Sequence, residues 1–177
     1  MREFYHVSRA DISTVKYFEL KMTKNAIDLE GYYSSEEFIN KKHNLFPKGI
    51  SKFGEQYLHE YYYPENQNNE FIIESVFELI RRLKYPNLKS RFQSTFGCLT
   101  IEDAKKIKEI TFKGEGNIYK VACDSYFIAD MNLLNQARSI IGIEIIANKY
   151  WSGIYSKNPT IEVLMNYPVE IIEKIEI

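Results

Sequence analysis

Apolar residues recur every second position at three separated places in this chain, and every third or fourth position between them. That change of period constrains the fold more than any single residue does. Residues 3–9 alternate, with Phe4, His6 and Ser8 on one face and Tyr5 and Val7 on the other. Residues 91–98 alternate again, through Phe92, Ser94, Phe96 and Cys98. Late in the chain, Ile161 to Met165 forms one expected strand. Pro168 separates it from a second, in which Val169, Ile171, Ile175 and Ile177 share a face. Between these, Ile72, Val76, Leu79, Ile80 and Leu83 fall at helical spacing, Glu78 can pair with Arg82, and Pro86 stops the helix.

Further boundaries come from capping and turn chemistry. Ser34 to Glu37 reads as a capping box, and Thr100 with Asp103 opens a helix running to about Glu109. Glu55 to Tyr62 is read as helical, and Pro64 to Asn69 as a loop. Gly114 and Gly116 predict the turn of a hairpin whose second strand is Ile118 to Cys123. A long helix is expected from Asn132 to Trp151, striped by Ile140, Ile141, Glu144, Ile145 and Asn148. Residues 10–33 have no assignable pattern. Strands do not alternate regularly with helices, so the expectation is one α+β domain over residues 1–177, built on a split or two-layer sheet.

A net charge of −1 on 177 residues leaves no global basic field to gather nucleic acid. The two cysteines, Cys98 and Cys123, lack zinc-type spacing and are read as reduced, buried thiols of a cytoplasmic protein. No signal peptide is read, because Met1-Arg2-Glu3 runs directly into a polar-interrupted strand. No apolar run approaches the roughly 20 residues needed to span a bilayer.

Three positions carry chemistry. His6 sits between Phe4 and Ser8. Alone, it reads as a core histidine satisfied by a backbone carbonyl. In a site, one ring nitrogen would be fixed by the backbone and the other would donate to a substrate hydroxyl. Arg91 opens an apolar stretch, where a forked guanidinium suits a phosphate; Arg81 and Arg82 are explained as a basic helix end. Glu162 interrupts an apolar run just after Lys157-Asn158-Pro159. It is either an outward residue of an edge strand or a cleft carboxylate able to stabilise oxocarbenium-like charge. Ser94, between two rings, is strand filler or a neighbour of a flat ligand. Tyr61, Tyr62 and Tyr63 are core, or a stacking platform for a base. No P-loop, HExxH or nucleophile elbow is present, and Gly114-Glu115-Gly116 lacks the rest of a dinucleotide fingerprint.

Taken in order, Phe4-Tyr5-His6-Val7-Ser8-Arg9, Ile80-Arg81-Arg82 through Tyr85-Pro86 to Ser90-Arg91, Thr100-Ile101-Glu102-Asp103-Ala104, Tyr150-Trp151, and Glu162 to Pro168-Val169 form a series. That series resembles poorly characterised bacterial and phage proteins of the ADP-ribosyltransferase superfamily, in its histidine-type branch. The resemblance spans nearly the whole chain. It implies a split mixed β-sheet with flanking helices and a cleft for NAD as co-substrate, with no metal. By position, His6 would bind the NAD ribose and Glu162 would be the catalytic glutamate. Ser8, Ser94 and Phe96 would frame ribose or nicotinamide, and Arg9 and Arg91 would meet the pyrophosphate. The Glu-x-Glu ending of the arginine-modifying branch is absent, since Thr160 stands two before Glu162.

The resemblance thus implies transfer of ADP-ribose to a macromolecular acceptor, protein or nucleic acid, in a toxin or phage-defence role. A cognate inhibitor would be a further partner, and no membrane is involved. The alternative is a catalytically inactive NAD- or nucleotide-binding, or protein-interaction, module on the same fold. An RNA-directed phosphotransferase ranks last, because it would want more basic residues in the cleft.

Overall fold

The computed structural model describes residues 1–59, 70–136 and 139–176. Its strands are β1 (Arg2–Ser8), β2 (Tyr17–Phe18), β3 (Ser94–Gly97), β4 (Asn117–Cys123), β5 (Tyr126–Asp130), β6 (Ile161–Asn166) and β7 (Val169–Ile175). Its helices are α1 (Ser35–Leu45), α2 (Lys52–His59), α3 (Glu70–Lys84), α4 (Ile101–Phe112) and α5 (Ile140–Trp151). The mixed α+β class expected from the alternating periods is what the chain adopts.

Two sheets form, in the orders β1-β4-β7-β2 and β3-β6-β5. Every described ladder is antiparallel, whereas the resemblance implied a mixture of strand senses. The sheets meet where β1 approaches β3. There Tyr5 and Cys98 exchange two backbone hydrogen bonds, at 3.0 and 2.7 Å, and the ladder goes no further. The first strand, the middle strand and the late strand therefore lie side by side across this split.

Four apolar clusters hold the described residues together, one of them formed by Phe46, Ile50 and Phe92. Phe4, Tyr119, Val121 and Val169 of the first sheet pack with Val163 and Met165 of the second. Phe77 and Ile80 of α3 and Ile146, Ala147, Tyr150 and Trp151 of α5 cover Ala129 and Leu164. Ala104 of α4 joins Val7, Cys98 and Ile118. Trp151 donates Nε1–H to the Phe77 carbonyl at 2.8 Å and stacks on Phe127, with ring centroids 5.7 Å apart.

Both expected capping interactions form. Ser34 and Glu37 bond reciprocally, and the Thr100 hydroxyl accepts from the Asp103 N–H. Several other expectations shift. Residues 91–93 are a 3-10 turn rather than strand, because the Ser90 hydroxyl caps it by accepting from the Phe92 N–H. Thr111 and Phe112 extend α4, so Gly114 and Gly116 join a helix to β4 instead of closing a hairpin. Gly116 lies at φ +83°, and a Cβ there would stand 2.6 Å from the Ser8 carbonyl oxygen. The segment 132–151 divides into a 3-10 stretch, Met131–Gln136, and α5.

The apolar stripes also need correction. On α5 the face toward the core is Ile143, Ile146, Ala147 and Tyr150, while Ile140, Ile141 and Ile145 are exposed. On α3 it is Ile73, Val76, Phe77 and Ile80, while Ile72, Leu79 and Leu83 are exposed. Both helices are apolar over more than half their girth, so spacing alone admits two faces. Phe77 of α3 and Tyr150 of α5 lie on the packed faces, while Phe71 of α3 is exposed. The predicted loop 64–69, the tyrosines 61–63 and Ile177 fall outside the described residues.

Candidate active site at the sheet split

Ser90 does more than cap the 3-10 turn. Its hydroxyl also donates to Glu78 Oε2 at 2.8 Å, and its carbonyl accepts from the Ser94 hydroxyl at 2.8 Å. These bonds turn the Arg91 side chain inward. Burying a guanidinium is costly unless its donors and charge are matched, and here the partners are all protein groups. Arg91 Nε–H reaches both oxygens of Glu74, at 3.0 and 2.9 Å. Nη1–H donates to Glu162 Oε1 at 2.7 Å and to the Tyr150 hydroxyl. Tyr150 in turn donates to Glu162 Oε1 at 2.8 Å.

All four residues are buried. Burial alone would lower the Arg91 pKa, but Glu162 and Glu74 outweigh it and hold the cation well above its ordinary value. Burial, with the two carboxylates, pushes the Tyr150 phenol up, against the pull of Arg91. The guanidinium carbon also lies 4.7 Å from the centroid of the Phe96 ring and 5.7 Å from that of Phe53. Phe53 meets Phe96 edge to face at 4.4 Å.

Phe96 connects this cluster to the first strand. Its carbonyl accepts from His6 Nδ1 at 2.7 Å. A carbonyl can only accept, so Nδ1 carries the proton. His6 is half-buried, edge-on to Phe18 at 5.2 Å. Burial lowers its pKa, and the Lys52 charge lowers it further, against the raising effect of the Phe96 bond. The neutral ring then presents Nε2 as an acceptor. This reverses the expected sense, in which the second nitrogen donated to a hydroxyl.

The structure thus links His6, Phe96, Arg91 and Glu162 in one chain of contacts, with Ser94 fully buried behind them. Glu162 is not on an edge strand, since β6 is central in its sheet. Its Oε1 is doubly engaged. No described residue hydrogen-bonds Oε2, and the side chain keeps 8% of its surface open. Ser8 and Arg9 stand apart. The Ser8 hydroxyl donates to the Ala10 carbonyl, and exposed Arg9 faces Glu115 at 4.0 Å and the Phe112 ring at 5.0 Å. Arg91 turns its Nε and Nη1 donors to protein carboxylates and the Tyr150 hydroxyl, where a phosphate was expected.

Arg81 and Arg82 are likewise more than a solvated helix end. Arg81 pairs with buried Glu78 at 2.7 Å and donates to the Leu88 carbonyl; Arg82 lies 3.6 Å from the same carboxylate. Glu74, Tyr150, Lys52 and Phe53 are the site residues that sequence reasoning passed over. Glu74 carried a usable signal: it is a carboxylate between Ile73 and Val76 on the buried face of α3. Both cysteines are free and buried, and burial pushes the Cys98 thiol up to about 12.

Among the described residues, no cluster of three or more His, Cys, Asp or Glu side chains is placed to hold a metal, and no helix is long and apolar enough to cross a membrane. A surface hollow of about 320 Å³ lies between Lys108, Asn117, Ile118, Lys174, Ile175 and Glu176, and none of the linked residues lines it.

No curated protein matches the chain. The family described as "Protein of unknown function (DUF2441)" matches it over residues 3–177. With all but the first two residues inside that match, the chain belongs to the DUF2441 family.

Proposed function

We propose that the protein is an NAD-dependent ADP-ribosyltransferase that transfers ADP-ribose to a macromolecular acceptor, protein or nucleic acid. One observation carries the reading. The first, middle and late strands adjoin at the split, and His6 and Glu162 are each fixed through one atom while a second atom is left for a ligand.

In this scheme His6 Nε2 accepts a hydrogen bond from a ribose hydroxyl. The bond between the ribose anomeric carbon and the nicotinamide nitrogen breaks, and its electron pair leaves with nicotinamide. Positive charge then spreads over the anomeric carbon and the ring oxygen, where the Glu162 carboxylate stabilises it. A nucleophile of the acceptor forms the new bond to that carbon and gives its proton to solvent. Phe96 and Phe53 offer apolar faces to the departing ring. In this scheme Arg91 holds Glu162 through Nη1 rather than meeting the pyrophosphate.

The test is incubation with NAD labelled in the adenylate half, with cell lysate as acceptor, followed by separate protease and nuclease digestion. Label transfer and nicotinamide release are expected from the wild type and not from Glu162→Ala. Their absence from the wild type refutes the reading.

The engagement of Glu162 Oε1 by Arg91 favours a second reading, a binding module without turnover. Calorimetric NAD binding unaccompanied by nicotinamide release would select it.

A further inference from the structure

At Gly49 two distant stretches of chain press together. It lies at φ +91°, and a Cβ there would stand 2.7 Å from the Lys21 carbonyl carbon and oxygen. Beside it, Lys21 and Ile50 exchange two backbone hydrogen bonds, at 2.9 and 3.0 Å. Lys48 and Lys52 each stand two residues from Ile50, so the backbones of three lysines gather at this junction. All three side chains are exposed, and none has an ion-pair or hydrogen-bond partner among the described residues. The carboxylates nearby do not offset them. Glu55, one turn beyond Lys52, accepts from the Thr23 hydroxyl at 2.8 Å and the Asn25 amide at 2.7 Å, and the buried Lys42 ammonium, which feels its charge, donates to the same hydroxyl. Counting Glu19, exposed two residues before Lys21, three cations still face one carboxylate. Like charges held close cost free energy, and an anion among them returns it.

The junction borders the candidate site. Ser51 seats α2 by donating its N–H to the Phe92 carbonyl at 2.9 Å and accepting from the Gly54 N–H at 3.0 Å. Phe53, next to Lys52, meets the Phe96 ring at 4.4 Å, and the Phe96 carbonyl holds His6. From the other stretch Phe18, three residues before Lys21, packs edge-on to His6 at 5.2 Å. The two stretches that bring the lysines together are therefore the ones that flank the imidazole, and the Lys52 charge is felt there.

We infer that Lys21, Lys48 and Lys52 form a diphosphate-binding rim beside His6, which takes the pyrophosphate of a dinucleotide whose ribose meets the imidazole. The identity of the dinucleotide rests on the transferase reading; the diphosphate chemistry does not. Lysine suits the role because it is a point charge on a long stem, so three ammonium groups close on a diphosphate without a prebuilt fork. The rim supplies the cation that Arg91, turned to carboxylates, was expected to provide.

The experiment compares wild type, Lys52→Gln, the triple variant Lys21→Gln/Lys48→Gln/Lys52→Gln, and Lys105→Gln as a control that removes an exposed charge on α4. Calorimetry measures ADP, adenosine and NAD binding at low and high salt, and NMR follows the His6 imidazole. The wild type is expected to bind ADP more tightly than adenosine, with an affinity that salt weakens. Lys52→Gln should lose about fivefold in ADP affinity and the triple variant about fiftyfold or more, the size of effect expected from removing one and three charges near a phosphate. Adenosine binding and the Lys105→Gln control should not change. The His6 pKa should rise in Lys52→Gln, which places that charge beside the ring. Equal binding of ADP and adenosine by the wild type overturns the inference, as does a triple variant that keeps its ADP affinity or a control that loses as much. A single-stranded oligonucleotide bound through the three lysines, with no ADP binding, overturns the diphosphate assignment. Lysine-dependent ADP binding without nicotinamide release from NAD refutes the transferase reading and upholds the rim; nicotinamide release with NAD affinity untouched in the triple variant does the reverse.

Discussion

His6 donates through Nδ1 to the Phe96 carbonyl at 2.7 Å, which ties the first strand to the middle one one step beyond the last backbone pair between them. That bond fixes the imidazole tautomer and its tilt. It also determines that whatever meets the other nitrogen must bring a hydrogen.

The His6 ring has a folded pKa below its ordinary value of 6.5, chiefly through burial. The unfolded chain therefore takes up the proton first as pH falls. The stability contributed by the neutral ring is complete above about pH 6.5 and is lost as pH drops through the folded value. NAD affinity should weaken over the same range, because a protonated Nε2 no longer accepts. NMR titration of the imidazole and calorimetry between pH 7.5 and 5 check both. A ring titrating above its ordinary value would contradict the geometry.

Arg91→Leu removes the counter-ion of two buried carboxylates. A loss of about 3–5 kcal/mol in urea unfolding is expected, the usual result of leaving buried charge unmatched. Tyr150→Phe removes one hydroxyl from the same cluster and should cost about 1–2 kcal/mol. The ordering of the two variants is the sharper test.

Asp130 is fully buried and accepts from the backbone N–H groups of Asn132, Ser156 and Thr160. Burial raises its pKa, but these bonds outweigh it and hold the carboxyl below its ordinary value. Its contribution is full above about pH 4 and is lost as pH falls through the folded pKa. Asp130→Asn should flatten the acid limb of stability between pH 5 and 3. Asp130→Ala should cost about 3 kcal/mol or more at pH 7, since it strands three donors.

Gly54 lets α2 sit against the turn before β3. A Cβ there would stand 2.3 Å from the Phe92 carbonyl oxygen, a backbone atom that already accepts from the Ser51 N–H and hydroxyl. Gly54→Ala should destabilise by about 1–3 kcal/mol and push Lys52 and Phe53 away from His6 and Phe96. Thermal unfolding and the His6 titration both report it. An unshifted His6 would mean that α2 does not bear on the site.

Alternation exposed β1 and β7, and capping chemistry exposed the starts of α1 and α4, because those signals act over a few residues. The same rule missed the 3-10 turn at Arg91, whose conformation comes from a single serine hydroxyl rather than from periodicity. Glu162 was legible as an interruption of an apolar run. Its partners were not, since Glu74 and Tyr150 come from α3 and α5, remote along the chain, and only packing brings them together. Arg91 shows the limit plainly: an arginine fork reads the same in sequence whether a phosphate or a pair of carboxylates fills it.

Trp151, the sole indole of the chain, lies against Tyr150, with ring centroids 4.9 Å apart. Its emission is therefore a built-in optical gauge of the helical layer behind Glu162, free of background from any other tryptophan. A change in that signal when ligand is added would register strain reaching the back of the cluster without any label having been introduced.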